Sequence, residues 1–209
     1  MPRIAPFETY PDRYENWFVK HKYAYKSELI AVKNQVPERK FGLEIGVGSG
    51  RFAAPLGIEL GIEPSREMRM IAKKKKIKVI DAIAENLPFK NNIVDFVLMV
   101  TTICFLDDIE ASFKEVFRIL KENGSFIIGF IDRNSAIGRK YEKNKDSNVF
   151  YRLADFYSVE EVIDILKKTN FRNFSFNQTI FHPLSAIKKK EEIKKGYGEG
   201  SFVTIKAIK

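Results

Sequence analysis

The residues best placed to do chemistry are Leu43-Glu44-Ile45-Gly46-Val47-Gly48-Ser49-Gly50. A short apolar run passes into three glycines at alternate positions. Glycine turns sharply and lets a ligand approach the main chain without meeting a Cβ. A strand that ends in such a turn suits a nucleotide lying across its carboxyl end. The spacing reads E-x-G-x-G-x-G. It departs from the dinucleotide pattern G-x-G-x-x-G/A, because Arg51 stands where a small residue would pack, and no phosphate loop G-x-x-x-x-G-K-[ST] occurs. Glu63 ends a second apolar run, 19 residues after Glu44. A nucleotide-binding α/β unit places a carboxylate there to accept from ribose hydroxyls; a surface acid is the plainer alternative. Pro64 stiffens the turn behind it. Met68, one helical turn on, lies against an adenine face or in the core.

Such residues need a scaffold to hold them. From residue 41 onward, short apolar runs alternate with helical stretches, which predicts βα units and a parallel sheet. Strands are expected at Phe41–Ile45, Ile58–Ile62, Val79–Ala82, Val94–Val100 and Phe126–Ile131. Phe174–Phe181 and Phe202–Ile208 alternate and should pair antiparallel as a closing hairpin. The expected fold is α/β: a doubly wound, Rossmann-like, mostly parallel sheet of seven strands. Ser65 should cap a helix to about Lys74. Asp107 or Asp108 should cap another, stopped by Asn123-Gly124. Ser158, with Glu161 at the capping-box position, should open a third. Pro55 and Gly57 leave room for only a short helix after the glycines. Asp12–Asn34 lacks Pro and Gly and reads as one or two helices.

At 209 residues the chain suits a single domain. Residues 1–40 read as a helical cap rich in aromatics, 41–131 as the ligand-binding core, and 132–209 as a substrate-side insert plus the hairpin. No apolar run approaches the roughly 20 residues of a membrane span. Met1–Pro6 lacks the apolar core of a signal peptide, so a cytoplasmic protein is expected. A single cysteine, Cys104, excludes an internal disulfide, and with only His21 and His182 beside it no metal site is expected. Cys104 reads as a small buried hydrophobe. Net charge is +9, concentrated in Lys73–Lys78 and Lys188–Lys195. The Lys- and Glu-rich surface of a thermostable protein explains this; a nucleic-acid partner is the alternative.

Taken together, these pieces resemble the class I S-adenosylmethionine-dependent methyltransferases, in particular the small single-domain family that includes the ubiquinone and menaquinone methylases. The resemblance is carried, in order, by Leu43–Gly50, Gly61-Ile62-Glu63-Pro64-Ser65 with Met68, Ala84-Glu85-Asn86-Leu87-Pro88-Phe89, Val94-Asp95-Phe96-Val97, and Glu115 with Arg118-Ile119-Leu120-Lys121 before Gly124. It implies S-adenosylmethionine as cofactor and a role for each residue. Gly46 and Gly48 lie under the methionine part, with a main-chain carbonyl near Gly46 taking the ammonium; Gly50 completes the cofactor-binding turn, and Glu44 helps position that end. Glu63 holds the ribose. Ala84 offers its amide to adenine, with Leu87 nearby. Thr101 faces the reacting groups. The family often has an acid just before the Ala84–Phe89 segment; here Ile83 stands there, and Glu85 or water takes its place. A small-molecule acceptor is the leading expectation. RNA or protein methylation and a non-catalytic nucleoside-binding role are the alternatives. An NAD-dependent oxidoreductase fits poorly, because no hydride-transfer constellation accompanies Arg51. His21 and His182 are candidate bases, and neither is assigned.

Overall fold

The computed structural model describes residues 3–38 and 40–209; Met1, Pro2 and Arg39, part of the expected 1–40 cap, lie outside the described residues. Three helices open the chain: α1 (Ala5–Thr9), α2 (Pro11–Lys20) and α3 (Lys22–Lys33). Pro6 and Pro11 occupy first-turn positions, where a missing amide removes no helical bond. Five parallel strands follow: β1 (Gly42–Ile45), β2 (Leu60–Ile62), β3 (Lys78–Ile80), β4 (Val94–Val100) and β5 (Leu120–Ile131). Between them lie α4 (Ala53–Leu56), α5 (Arg66–Lys74) and α6 (Ile109–Ile119). The chain closes with α7 (Ala136–Lys143), α8 (Val159–Lys168), β6 (Arg172–Thr179), β7 (Lys194–Lys195) and β8 (Phe202–Ile208).

Sheet order is β3-β2-β1-β4-β5-β8-β6-β7, with β8 antiparallel between β5 and β6. Winding reverses between β1 and β4. The crevice beyond their carboxyl ends is where a sheet of this kind binds its ligand.

The capping residues act as their types predict. The Ser65 hydroxyl accepts from the Met68 amide, and Asp108 accepts from the Ala111 amide. Ser158 and Glu161 form a complete capping box. Three expectations need correction. The sheet has eight strands: β7 is a pair of lysines with no apolar alternation, bonded to Asn177 and Gln178 of β6 at the edge. α1 was not foreseen, being a single short turn of mixed polarity. β5 starts at Leu120 rather than Phe126, so α6 ends at Ile119 and the expected stop Asn123-Gly124 lies inside the strand: Leu120 already pairs with Val94, and Asn123 takes a left-handed φ of 60° and turns the strand.

Successive residues of β4 point to opposite faces and feed two cores. Val97 and Met99 pack with Phe113 and Val116 of α6 and with Val162 and Leu166 of α8. Phe96, Leu98 and Val100 pack with Ala31 and Val32 of α3 and Ala72 of α5. Phe126 lies between Phe113 and Phe171, with ring centroids 4.9 and 5.4 Å away, and is fully buried. Phe126→Ala is expected to cost about 3–5 kcal/mol through lost burial and a residual cavity. Guanidinium denaturation of parent and variant checks this; a midpoint that does not move would mean the face is loosely packed.

Candidate functional site

The glycine turn is built on left-handed backbone. Gly46 has φ 67° and Gly48 φ 55°. A Cβ on Gly46 would lie 2.4 Å from the Thr102 side chain, and one on Gly48 would lie 3.2 Å from the Tyr14 hydroxyl. The Val47 amide donates to the Ile62 carbonyl at 3.0 Å and fastens the turn to the end of β2. The Glu63 carboxylate then spans both turns. Gly48 N–H donates to Oε2 at 2.8 Å, and Ser65 N–H donates to Oε1 at 2.8 Å. Glu63 is only 7% exposed. Burial pushes its carboxyl up to about 7, although the two amides pull the other way.

The helical cap docks directly on this turn. Glu15 of α2 accepts from the Ser49 hydroxyl and from the Arg51 guanidinium. Lys75 donates to the Ser49 carbonyl at 2.8 Å and lies 3.8 Å from Glu15. Tyr14 packs edge-on against Phe7 and Phe18. Burial raises its phenol, and the charges of Glu63, Glu44 and Glu15 add to the effect. Farther forward, Arg3 donates to the Leu153 carbonyl at 2.9 Å and to Asp155 at 2.5 Å.

A cavity of about 470 Å³ lies beneath the cap, over the carboxyl ends of β1, β4 and β5. Gly46, Gly48, Glu63, Pro64, Ala84, Glu85 and Thr101 all line it. The other expected site residues stand behind that wall. Glu44 is 1% exposed; the Ala53 amide donates to its carboxyl, one oxygen has no partner, and burial raises it well above the usual range. Gly50 faces the end of α5 and the turn after it, where a Cβ would meet Ile77 at 2.3 Å and Ala72 at 3.7 Å. Met68 and Leu87 are buried.

The Ala84–Phe89 segment is clamped from α6. The Leu87 amide donates to Glu115, while Arg118 donates to the carbonyls of Leu87 and Phe89 at 3.1 and 2.7 Å. Glu85 accepts from the amides of Asp107 and Asp108 at 2.9 and 3.3 Å, so its carboxylate holds the loop before α6. Thr101 adopts φ 51°, a costly conformation for a β-branched residue. Its amide bond to Gly129 O at 2.7 Å and its hydroxyl bond to Val100 O at 2.8 Å hold it there.

Four residues that sequence reasoning missed belong to the site. Thr102 Oγ1 donates toward the carbonyls of Val100 and Ile45 at 3.1 and 3.3 Å. Tyr14 covers Gly48, Glu15 anchors the cap, and Glu28 of α3 lies on the cavity wall. Only the aromatic density of the first 40 residues hinted at any of them. His21 reaches the wall, but His182 is exposed and bonded to Glu191 at 2.5 Å. Cys104 also reaches the wall; burial pushes its thiol up to about 12. Among the described residues no His, Cys, Asp and Glu cluster fits a metal, and no helix is long and apolar enough to cross a membrane.

The switch-point crevice, the turn without Cβ atoms and the buried acid facing it define a nucleoside-binding α/β protein. Comparison with known proteins narrows the class. Residues 43–128 match the family model of the methyltransferase domain. A solved S-adenosylmethionine-dependent methyltransferase of Thermotoga maritima, described as a possible histamine N-methyltransferase, is 50% identical; the match has a TM-score of 0.97 and covers 99% of each chain. An uncharacterised protein of Methanocaldococcus jannaschii is 45% identical over 97% of this chain and 98% of its own length. A longer Mycobacterium tuberculosis protein is 35% identical, and the matched region spans 79% of this chain and 59% of that protein. The chain belongs to the S-adenosylmethionine-dependent methyltransferases. Its cofactor supplies a methyl group already activated by a sulfonium charge. The Cβ-free turn and the buried Glu63 on the cavity wall fit that cofactor.

Gly48→Val should abolish binding of S-adenosylhomocysteine, measured by calorimetry. The side chain would project toward Tyr14, and a β-branched residue at this φ costs about 1–3 kcal/mol. Affinity equal to the parent's would place the cofactor elsewhere.

Proposed function

We propose that this enzyme methylates a small-molecule acceptor, working as a single domain in the cytoplasm. The observation that carries the reading is the chamber itself. α1, α2, α3 and residues 141–157 line the cavity over the carboxyl edge of β4 and β5, and its volume of about 470 Å³ is in the range of small-molecule sites. Neither lysine cluster lines it, so among the described residues those clusters provide no basic track for a nucleic acid to follow into the chamber. The description of the Thermotoga relative as a possible histamine N-methyltransferase favours the same scale of acceptor.

In this reading Gly46 and Gly48 carry the methionine part of the cofactor, and Glu63 accepts from the ribose hydroxyls. Pro64 and Ala84 border the adenine. Glu85 shapes that edge through the hold of its Oε1 on the loop before α6, and its carboxylate or water serves in place of the acid replaced by Ile83. Glu44, Gly50, Met68 and Leu87 support the turn and the loop from behind. Thr101 and Thr102 face the reacting end. The cap keeps water out, and the chain's work is alignment of the acceptor with the methyl group.

Two measurements follow. Glu63→Ala should weaken S-adenosylhomocysteine binding by about 1.5–3 kcal/mol, roughly ten- to hundredfold. Glu160→Ala on the distant α8 serves as control, and an equal effect would make Glu63 a bystander. The ionised carboxylate is the form that accepts, and its value is raised to about 7. Affinity should therefore fall by up to about tenfold per unit as pH drops below that value. Glu63→Gln, which cannot ionise, should flatten the profile.

The acceptor class is tested with labelled cofactor and three pools: a low-mass metabolite extract, total RNA and total protein. Label in the low-mass pool supports the reading. Label confined to RNA or protein overturns it.

A further inference from the structure

Glu28 is 4% exposed and lies on the chamber wall. Among the described residues its carboxyl makes no hydrogen bond and no ion pair. Its neighbour Ser27 is fully committed: that hydroxyl donates to the Tyr23 carbonyl and accepts from the Glu191 amide, both at 2.8 Å. A buried, unpaired carboxylate is costly, and nothing in the packing of α3 calls for one. The chamber around it is aromatic. Tyr141 and Tyr151 stack with ring centroids 4.4 Å apart, Phe156 lies 5.6 Å from Tyr151, and Trp17 and His21 pair at 5.2 Å on α2 and its end. Aromatic faces and a desolvated carboxylate together favour an organic cation.

Resting on the reading that the acceptor is a small molecule, we infer that it carries an amine and that Glu28 receives that amine. The acceptor arrives as an ammonium and pairs with the Glu28 carboxylate. Its proton passes to the carboxylate, which frees the nitrogen lone pair. That pair forms the N–C bond to the methyl group as the C–S bond breaks. The sulfonium becomes the thioether S-adenosylhomocysteine, and the product nitrogen carries the positive charge. Glu28 returns the proton to solvent. Burial alone pushes its carboxyl up to about 8, which suits a group that exchanges protons near neutrality. The ionisable groups that feel its charge are the phenols of Tyr25, Tyr141 and Tyr151.

The test is calorimetric, in the presence of S-adenosylhomocysteine. Phenethylamine, tryptamine and histamine are compared with alcohols of matching shape. At least one amine should bind about tenfold or more tighter than its alcohol, the scale of one charge-assisted bond. Glu28→Gln should erase that preference and leave S-adenosylhomocysteine affinity unchanged; Glu28→Asp should keep part of it. Because burial raises Glu28 above the unfolded value, its ionisation destabilises the fold as pH rises through about 8. Glu28→Gln, always neutral, is therefore no less stable there, and unfolding cannot mimic the loss. An amine preference that survives Glu28→Gln overturns the assignment, as does small-molecule binding with no amine preference. No small-molecule binding together with methylation of RNA or protein would instead bring down the small-molecule reading on which this one rests.

Discussion

A carboxylate with almost no water around it holds the ligand-facing turns of this enzyme together. Desolvating Glu63 is unfavourable, and the amides of Gly48 and Ser65 offset part of that cost. The Gly48 amide can reach Glu63 only because its residue takes a left-handed φ. Ser65 reaches it because the same residue caps α5. One side chain thus sets the relative position of the β1 turn and the β2 turn. The cap inherits this placement, since Glu15 anchors on Ser49 and Arg51 beside the same glycines.

Much of the scaffold was legible because its signals are local. Ser65, Asp108 and the Ser158–Glu161 pair announce helix starts through bonds that close within one turn. β4 announces itself by apolar residues on both faces. The glycines and Glu63 were legible because a sharp left-handed turn and a carboxylate facing it restrict residue type at fixed spacing. Gly50 shares the alternate spacing of Gly46 and Gly48, yet its left-handed turn packs against Ile77 and Ala72, a contact between segments that spacing alone does not announce.

What sequence reading missed depends on contacts between distant segments. Glu15 and Arg51 are unremarkable apart; together they dock a helix. Arg51, read as an obstacle to a dinucleotide, is one half of that anchor. Glu85, on the cavity wall, also accepts from two amides 22 and 23 residues away, a hold that its own segment does not announce. Glu28 sits in a helix whose pattern says only that one face is buried. Its surroundings come from α2, α7 and residues 151–156, and no spacing encodes their convergence. β7 escaped because two lysines at an edge need only backbone bonds.

The cap is attached unlike anything else in the fold. α1 buries only Pro6 and α2 only Phe18, whereas α3 buries five residues. The front of the cap is held mainly by ion pairs at Arg3 and Glu15 and by aromatic edges. Such a segment opens at lower free energy than the sheet beneath it. The chain therefore carries a hierarchy of stability, with α1 and the outer face of α2 forming a lightly held layer over the two cores. Ionic strength acts selectively on that layer, because screening weakens the exposed pairs first and leaves the apolar cores untouched.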